Sequence, residues 1–229
     1  MLRTLTALLA SSCASAFMLP GVVPKNYEKG QLLPITVGQL TSLQSAFTFD
    51  FYMLNFCSSP HGLGYDESKY GKTQTGAPEH ESPYEYRFAI DQSVQTCTKT
   101  LTQGQIEQFS QMIQHNYKYK LYLDGLPSAT ILRDKKNKEL PVDYTSGIPI
   151  GEYHGLGQIM IYNHLDIVVK VHTTLEGHHR IVGFEVEPYS MGEGPNRISN
   201  NPTSADEDQY LRAGEPFQFT YRTIMRVSY

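Results

Sequence analysis

Apolar residues in this chain recur mostly at every second position. Phe47, Phe49 and Phe51 alternate with Thr48 and Asp50, and Tyr84, Tyr86 and Phe88 alternate with Glu85 and Arg87. Leu121 and Leu123 flank Tyr122, and Phe184 and Val186 alternate with Glu185 and Glu187. Each pattern predicts a strand with one face on a core and the other in water. Ile159 to Val171 is longer and more apolar, with Asn163-His164 inside it, and reads as one bent strand or as two. With Arg180 to Glu187 it is expected to form the central antiparallel strands, the chain turning at Gly177 between Thr173 and His179. One segment departs from period two: Ile106, Phe109, Ile113 and Tyr117 fall at helical spacing, and Thr102 with Gln105 can close a capping box before them. Met191 to Asp208, rich in Gly, Asn, Ser, Pro and acid, reads as a long exposed loop. The fold class expected is mainly β: an antiparallel β-sandwich-like domain with one or two helices.

The amino terminus carries a different signal. Arg3 precedes an apolar run from Leu5 to Ala10, and Ala14-Ser15-Ala16 offers small residues ahead of Phe17. Residues 1–16 therefore read as a secretory signal peptide cleaved between Ala16 and Phe17. The apolar run is too short to span a bilayer, and no later stretch approaches the about eighteen apolar residues of a membrane helix. The whole chain has 19 basic and 23 acidic residues, a formal net charge of −4. That balance argues against a nucleic-acid binder, which usually carries a basic face. With Cys13 in the leader, Cys57 and Cys97 remain for an oxidising compartment; they form one disulfide or stay as two small apolar fillers.

Candidate chemistry is sparse. The chain has no Gly-x-Ser-x-Gly, His-Glu-x-x-His, P-loop or Cys-x-x-Cys motif, so no catalytic, cofactor or metal residue is assigned. Gly62-Leu63-Gly64 and Gly155-Leu156-Gly157 read as turn glycines, and His178-His179 as a solvated turn. Glu185 and Glu187 share one strand face, the spacing of an acid–base pair, but alternation with Phe184 and Val186 puts them in water. His164 and His172 read as satisfied structural histidines or as groups that titrate in an acidic compartment. Exposed tyrosines such as Tyr65, Tyr70 and Tyr210 keep a second reading open, a secreted module binding carbohydrate or protein.

The order of short motifs is more specific than any one of them. Phe17-Met18-Leu19-Pro20-Gly21-Val22 resembles the start of mature nonaspanins, the transmembrane 9 superfamily. Phe51-Tyr52 to Phe56-Cys57, Ser82-Pro83-Tyr84, Cys97-Thr98-Lys99 and Asp124-Gly125-Leu126-Pro127 resemble later motifs of that family in order. So do Ile161-Tyr162-Asn163-His164-Leu165, Arg180 to Pro188, and Phe219-Thr220-Tyr221. The resemblance implies residues 17–221 as a non-enzymatic luminal domain of a membrane-integral protein. Its implied partners are membrane-protein cargo, and its implied setting is the Golgi and endosomes, where such proteins escort others. Two departures stand out. Ser93 occupies the place of a family cysteine, which leaves Cys57–Cys97 as the intramolecular pairing. Residues 222–229 diverge from the family's stretch before its first membrane helix, so they read as a divergent tail, of a truncated form or of a domain without its anchor.

Overall fold

The computed structural model describes residues 25–60, 79–132, 143–154, 157–174, 177–192 and 208–228. The leader, the Ala16–Phe17 cleavage site, Gly62-Leu63-Gly64, Tyr65 and Tyr70 lie outside the described residues. In chain order the strands are β1 (Leu32–Val37), β2 (Leu40–Ser42), β3 (Ser45–Phe49), β4 (His80–Arg87), β5 (Gln92–Thr100), β6 (Lys118–Tyr119), β7 (Leu121–Leu123) and β8 (Leu126–Pro127). They continue as β9 (Ala129–Leu132), β10 (Asp143–Ser146), β11 (Ile148–Pro149), β12 (Gly151–His154), β13 (Gln158–Ile161), β14 (His164–Thr173), β15 (His179–Tyr189) and β16 (Pro216–Val227). The one α-helix among the described residues, α1 (Gln103–Gln114), follows β5.

The fold is mainly β, as the period-two pattern predicts. A six-stranded sheet runs β10-β9-β15-β14-β16-β5, and a four-stranded sheet runs β4-β1-β7-β8. Smaller sheets, β11-β6-β2-β3 and the β12–β13 hairpin, complete it. Leu33, Ile35 and Val37 of β1 join Tyr84 and Tyr86 of β4 in one core with Leu165, Ile167, Val169 and Val171 of β14. Where the two larger sheets meet, Tyr84 and Tyr221 pack edge to face at 5.4 Å. α1 closes the core with Ile106, Phe109 and Ile113, its apolar stripe. Its capping box is present: the Thr102 side chain accepts from the Gln105 amide, and the Gln105 side chain accepts from the Thr102 amide.

Ile159 to Val171 forms two strands, β13 and β14, divided at Tyr162-Asn163. The Asn163 side chain donates to the carbonyls of Met191 and Gln218, both at 2.9 Å, and accepts from the Met191 amide at 2.8 Å. Those bonds replace strand pairing at the corner. β14 and β15 pair antiparallel through a turn whose Gly177 sits at φ +81°, a conformation that costs a side-chain-bearing residue energy. Two pairings in this sheet are parallel, β14 with β16 and β15 with β9. Parallel neighbours need a long connection between them, so local periodicity carries no trace of them. Residues 222–227, set apart in the sequence as a tail, continue β16 alongside β14. Met191 is buried at 3% exposure, although the segment it opens reads as an exposed loop; residues 193–207 lie outside the described set.

Cys57 and Cys97 are joined in a disulfide with Cα atoms 5.9 Å apart and a sequence separation of 40. It ties the segment after β3 to β5, next to Phe219. In that segment Phe51 and Phe56 stack at 4.3 Å, and Phe56 meets Phe109 at 5.3 Å and Phe219 at 5.7 Å.

Two outcomes follow from this core. Phe184→Ala, at a site 3% exposed, should cost about 2–5 kcal/mol in urea unfolding through lost burial plus a cavity; an unchanged midpoint would mean that the β14–β15 core is not in place. Replacing both Cys57 and Cys97 by Ser should cost on the order of 4 kcal/mol, the chain-entropy value for a loop of this length, read in urea as a lower midpoint with a steeper slope, since the unbridged chain unfolds to a more expanded state.

Candidate functional site

The structure brings together one buried polar cluster and displays one apolar hairpin. The cluster lies on the face of the six-stranded sheet turned away from the core. Because strand side chains alternate, His164 and Asp166 of β14 fall on that face while Leu165 and Ile167 enter the core. Register puts Thr220 beside His164 and Arg222 beside Asp166. His164 Nδ1 lies 2.7 Å from Thr220 Oγ1, and His164 Nε2 lies 3.1 Å from Asp166 Oδ1. Arg222 donates through Nε to Asp166 Oδ1 at 2.9 Å and through Nη2 to Oδ2, a two-point clamp.

Asp166 is 4% exposed, and burial alone would push its carboxyl up. Hydrogen bonds from His164 and Arg222, and the charges of both, outweigh that and hold it below the ordinary carboxylate range. His164 is thus a satisfied buried histidine, the structural reading of it. His172 is exposed, its Nδ1 3.4 Å from the Ser228 carbonyl.

Glu185 and Glu187 need a correction. Alternation placed them in water, yet they are 9% and 8% exposed. Lys170 Nζ donates to Glu185 Oε1 at 2.6 Å, and the Tyr144 hydroxyl donates to the same oxygen at 3.4 Å, while Glu187 faces Asp166 across the strand pair. A cation and a hydroxyl engage Glu185, where an acid–base pair would need one carboxyl in an apolar pocket. His178 sits in the turn before β15 and His179 opens that strand. No group of three metal-ligating side chains occurs among the described residues.

The second feature is the β2–β3 hairpin. Gly38 to Phe49 contains no charged residue. The alternation of Phe47, Phe49 and Phe51 predicted three inward rings, but a register shift between Leu40 and Ser42 breaks it. Phe51 is fully buried and Phe49 packs on Tyr117 at 5.4 Å, whereas Phe47 is turned out at 74% exposure. Leu43 at the tip is fully exposed. The hairpin is held to the body of the domain along its length. Ser42 Oγ donates to the His115 carbonyl at 2.5 Å, and the Tyr117 hydroxyl donates to the Phe47 carbonyl at 3.2 Å. Asp50 accepts from the Tyr52 amide at 2.7 Å and pairs with His80 at 2.8 Å. Beside Asp50 and Glu81, burial and those carboxylates push the Tyr52 phenol up to about 12.

Asp166 was missed in the sequence, although a lone acid in an apolar run two residues after His164 was a signal for it. Arg222 and Leu43 had no such signal. Tyr210, a candidate for stacking on sugar, is half-buried, bridges to Met160 and packs against His154 at 5.9 Å.

Comparison with known proteins gives this arrangement its place. A family model described as endomembrane protein 70 matches residues 48–228. The chain belongs to that family. A transmembrane 9 superfamily protein of Schizosaccharomyces pombe is 28% identical over 91% of the chain and 34% of its own length. Member 8 of the superfamily from Arabidopsis thaliana is 30% identical over 78% of the chain and 28% of its own length. Member 4 from Homo sapiens is 28% identical over 77% of the chain and 30% of its own length. The chain thus spans about a third of the length of these relatives. The endomembrane protein 70 match includes residues 222–228, the segment that carries Arg222. No helix among the described residues is long and apolar enough to cross a membrane.

The clamp predicts a pH dependence. A carboxyl whose folded value is depressed stabilises fully above its unfolded value, near pH 4, and loses that contribution as pH falls toward its folded value. Asp166→Asn should cost about 3 kcal/mol at neutral pH, because it leaves the Arg222 charge buried beside a neutral amide. Its stability should also fall less than that of the parent protein below about pH 4. Parallel acid profiles for the two proteins in urea unfolding would contradict the clamp.

Proposed function

We propose that this chain is a non-enzymatic luminal binding domain, serving the localisation and sorting of membrane-protein cargo in the Golgi–endosome system. Membership of the endomembrane protein 70 family, with transmembrane 9 relatives in yeast, plant and human, supports the membrane setting. The Cys57–Cys97 bond suits a lumen, since such bonds persist in oxidising compartments. The observation that carries the binding role is the uncharged hairpin. A leucine and a phenylalanine held in water on a rigid base lose little freedom on docking, and preorganised apolar anchors are what binding surfaces use. Asp166 with Arg222 and Glu185 with Lys170 are engaged in ion pairs and serve the sheet's cohesion. Cargo is recognised, in this reading, by an apolar patch that accepts the Leu43 and Phe47 side chains.

The test replaces Leu43 and Phe47 by Asp in cells that depend on this chain and measures the surface proteome by biotinylation. The exchange should leave the unfolding free energy within about 0.5 kcal/mol of the parent, as for surface substitutions. Surface delivery of the same membrane proteins that a full deletion affects should fall. Unchanged delivery beside a clear deletion phenotype would overturn the hairpin's role.

A further inference from the structure

The uncharged surface around the hairpin is wider than the hairpin itself. No Asp, Glu, Lys or Arg occurs from Gly30 to Phe49, nor from Gln108 to Tyr117. The two stretches meet where the Ser42 hydroxyl donates to the His115 carbonyl and the Tyr117 hydroxyl to the Phe47 carbonyl. Leu43 and Phe47 are exposed there, with Gln44, Thr48, His115 and Asn116 exposed beside them. An apolar centre thus has a rim of uncharged polar groups, the layout of a binding interface. The charges that follow each stretch are engaged: Asp50 pairs with His80 at 2.8 Å, and Lys118 Nζ donates to Thr145 Oγ1 at 3.0 Å.

The position of the hairpin leaves it open to a partner. β1 runs from Leu32, opposite Arg87, to Val37, opposite His80, so the hairpin stands at the pole away from the β4–β5 turn. β3 is the edge strand of its sheet and carries neither the lysine nor the proline that keeps such edges apart. The register shift beside Leu40 bends it, and the bend turns Phe47 outward.

We propose that this patch is a self-association surface: without cargo, Leu43 and Phe47 of one copy pack against the same side chains of a second copy about a two-fold axis. Such a contact sets a surface against itself, so any charge near the axis would meet its like. This patch has none to oppose. An unlike partner is commonly selected by opposed charge at the rim, and this rim offers none. Two anchors and a narrow rim put the contact at or below about 1,200 Å², the lower bound of specific, stable interfaces, where association is transient. The hairpin therefore stays free to exchange its second copy for cargo. The proposal rests on the hairpin's geometry and not on the cargo reading, so either can fail alone.

The test is sedimentation equilibrium of the purified chain at neutral pH, from about 10 μM to about 1 mM, the range of weak complexes. The mean mass should climb from that of a monomer toward twice that value. Leu43→Asp/Phe47→Asp protein should stay monomeric, and so should Leu43→Lys/Phe47→Lys protein. Mixed in equal amounts the two should associate, because unlike charges then face each other across the contact. Val182→Asp, at another exposed aliphatic site, should associate like the parent. Circular dichroism and unfolding establish that each variant is folded. A parent chain monomeric throughout would overturn self-association, while a delivery defect of the Asp variant in cells would still support cargo recognition. Association of either folded hairpin variant alone would overturn the proposal too, as would a mixture that stays monomeric or loss of association in Val182→Asp.

Discussion

The rest of the structure depends on β14 being buried on both faces while paired on both edges. Its core face carries Leu165, Ile167, Val169 and Val171, each at most 1% exposed. Its other face carries His164 and Asp166, at 6% and 4%. A carboxylate at that depth is tolerated only with a cation and hydrogen-bond donors, and the cation comes from β16. The Asp166–Arg222 clamp thereby fixes the register of a parallel pair. A slip by one residue would carry Arg222 to the core face and leave Asp166 uncompensated.

A platform fixed in this way allows a thin surface element to be rigid. The hairpin is joined to the residues after α1 by Ser42 and Tyr117, and the segment behind it is stacked through Phe51 and Phe56 into the same core. The disulfide ties that segment to β5, which pairs with β16. Leu43 and Phe47 can therefore remain in water without folding back, because their backbone is held from below. At the other pole the same strand that clamps Asp166 ends among Val227, Arg226 and Ile90. One strand thus links the buried Asp166–Arg222 pair to the edge of the domain at Val227.

Much of the fold was legible in the chain where one face met the core and the other met water. Tyr84, Tyr86 and Phe88 are at most 4% exposed, and α1 starts at the capping box read from Thr102 and Gln105. The reading failed where both faces of a strand are covered, because period two then loses its meaning. Glu185 and Glu187 look solvated beside Phe184 and Val186, yet Lys170 and Tyr144 enclose Glu185. It failed again at the register shift beside Leu40, which turns Phe47 outward against its own alternation. Arg222 was invisible as a partner because it is distant from Asp166 in sequence and no local pattern encodes a parallel neighbour. The family resemblance reached the right family through ordered motifs, although its last motif stops just before Arg222.

Hydrogen exchange tests the central claim most directly, since it reads the stability of β14 and β16 residue by residue. If the clamped parallel pair organises the domain, amides from Leu165 to Val171 and from Thr220 to Met225 should exchange only through global unfolding, with the same free energy. Asp166→Asn should lower both sets together. Exchange of residues 222–227 through local opening, with β14 still fully protected, would contradict the account and return that segment to the status of a tail.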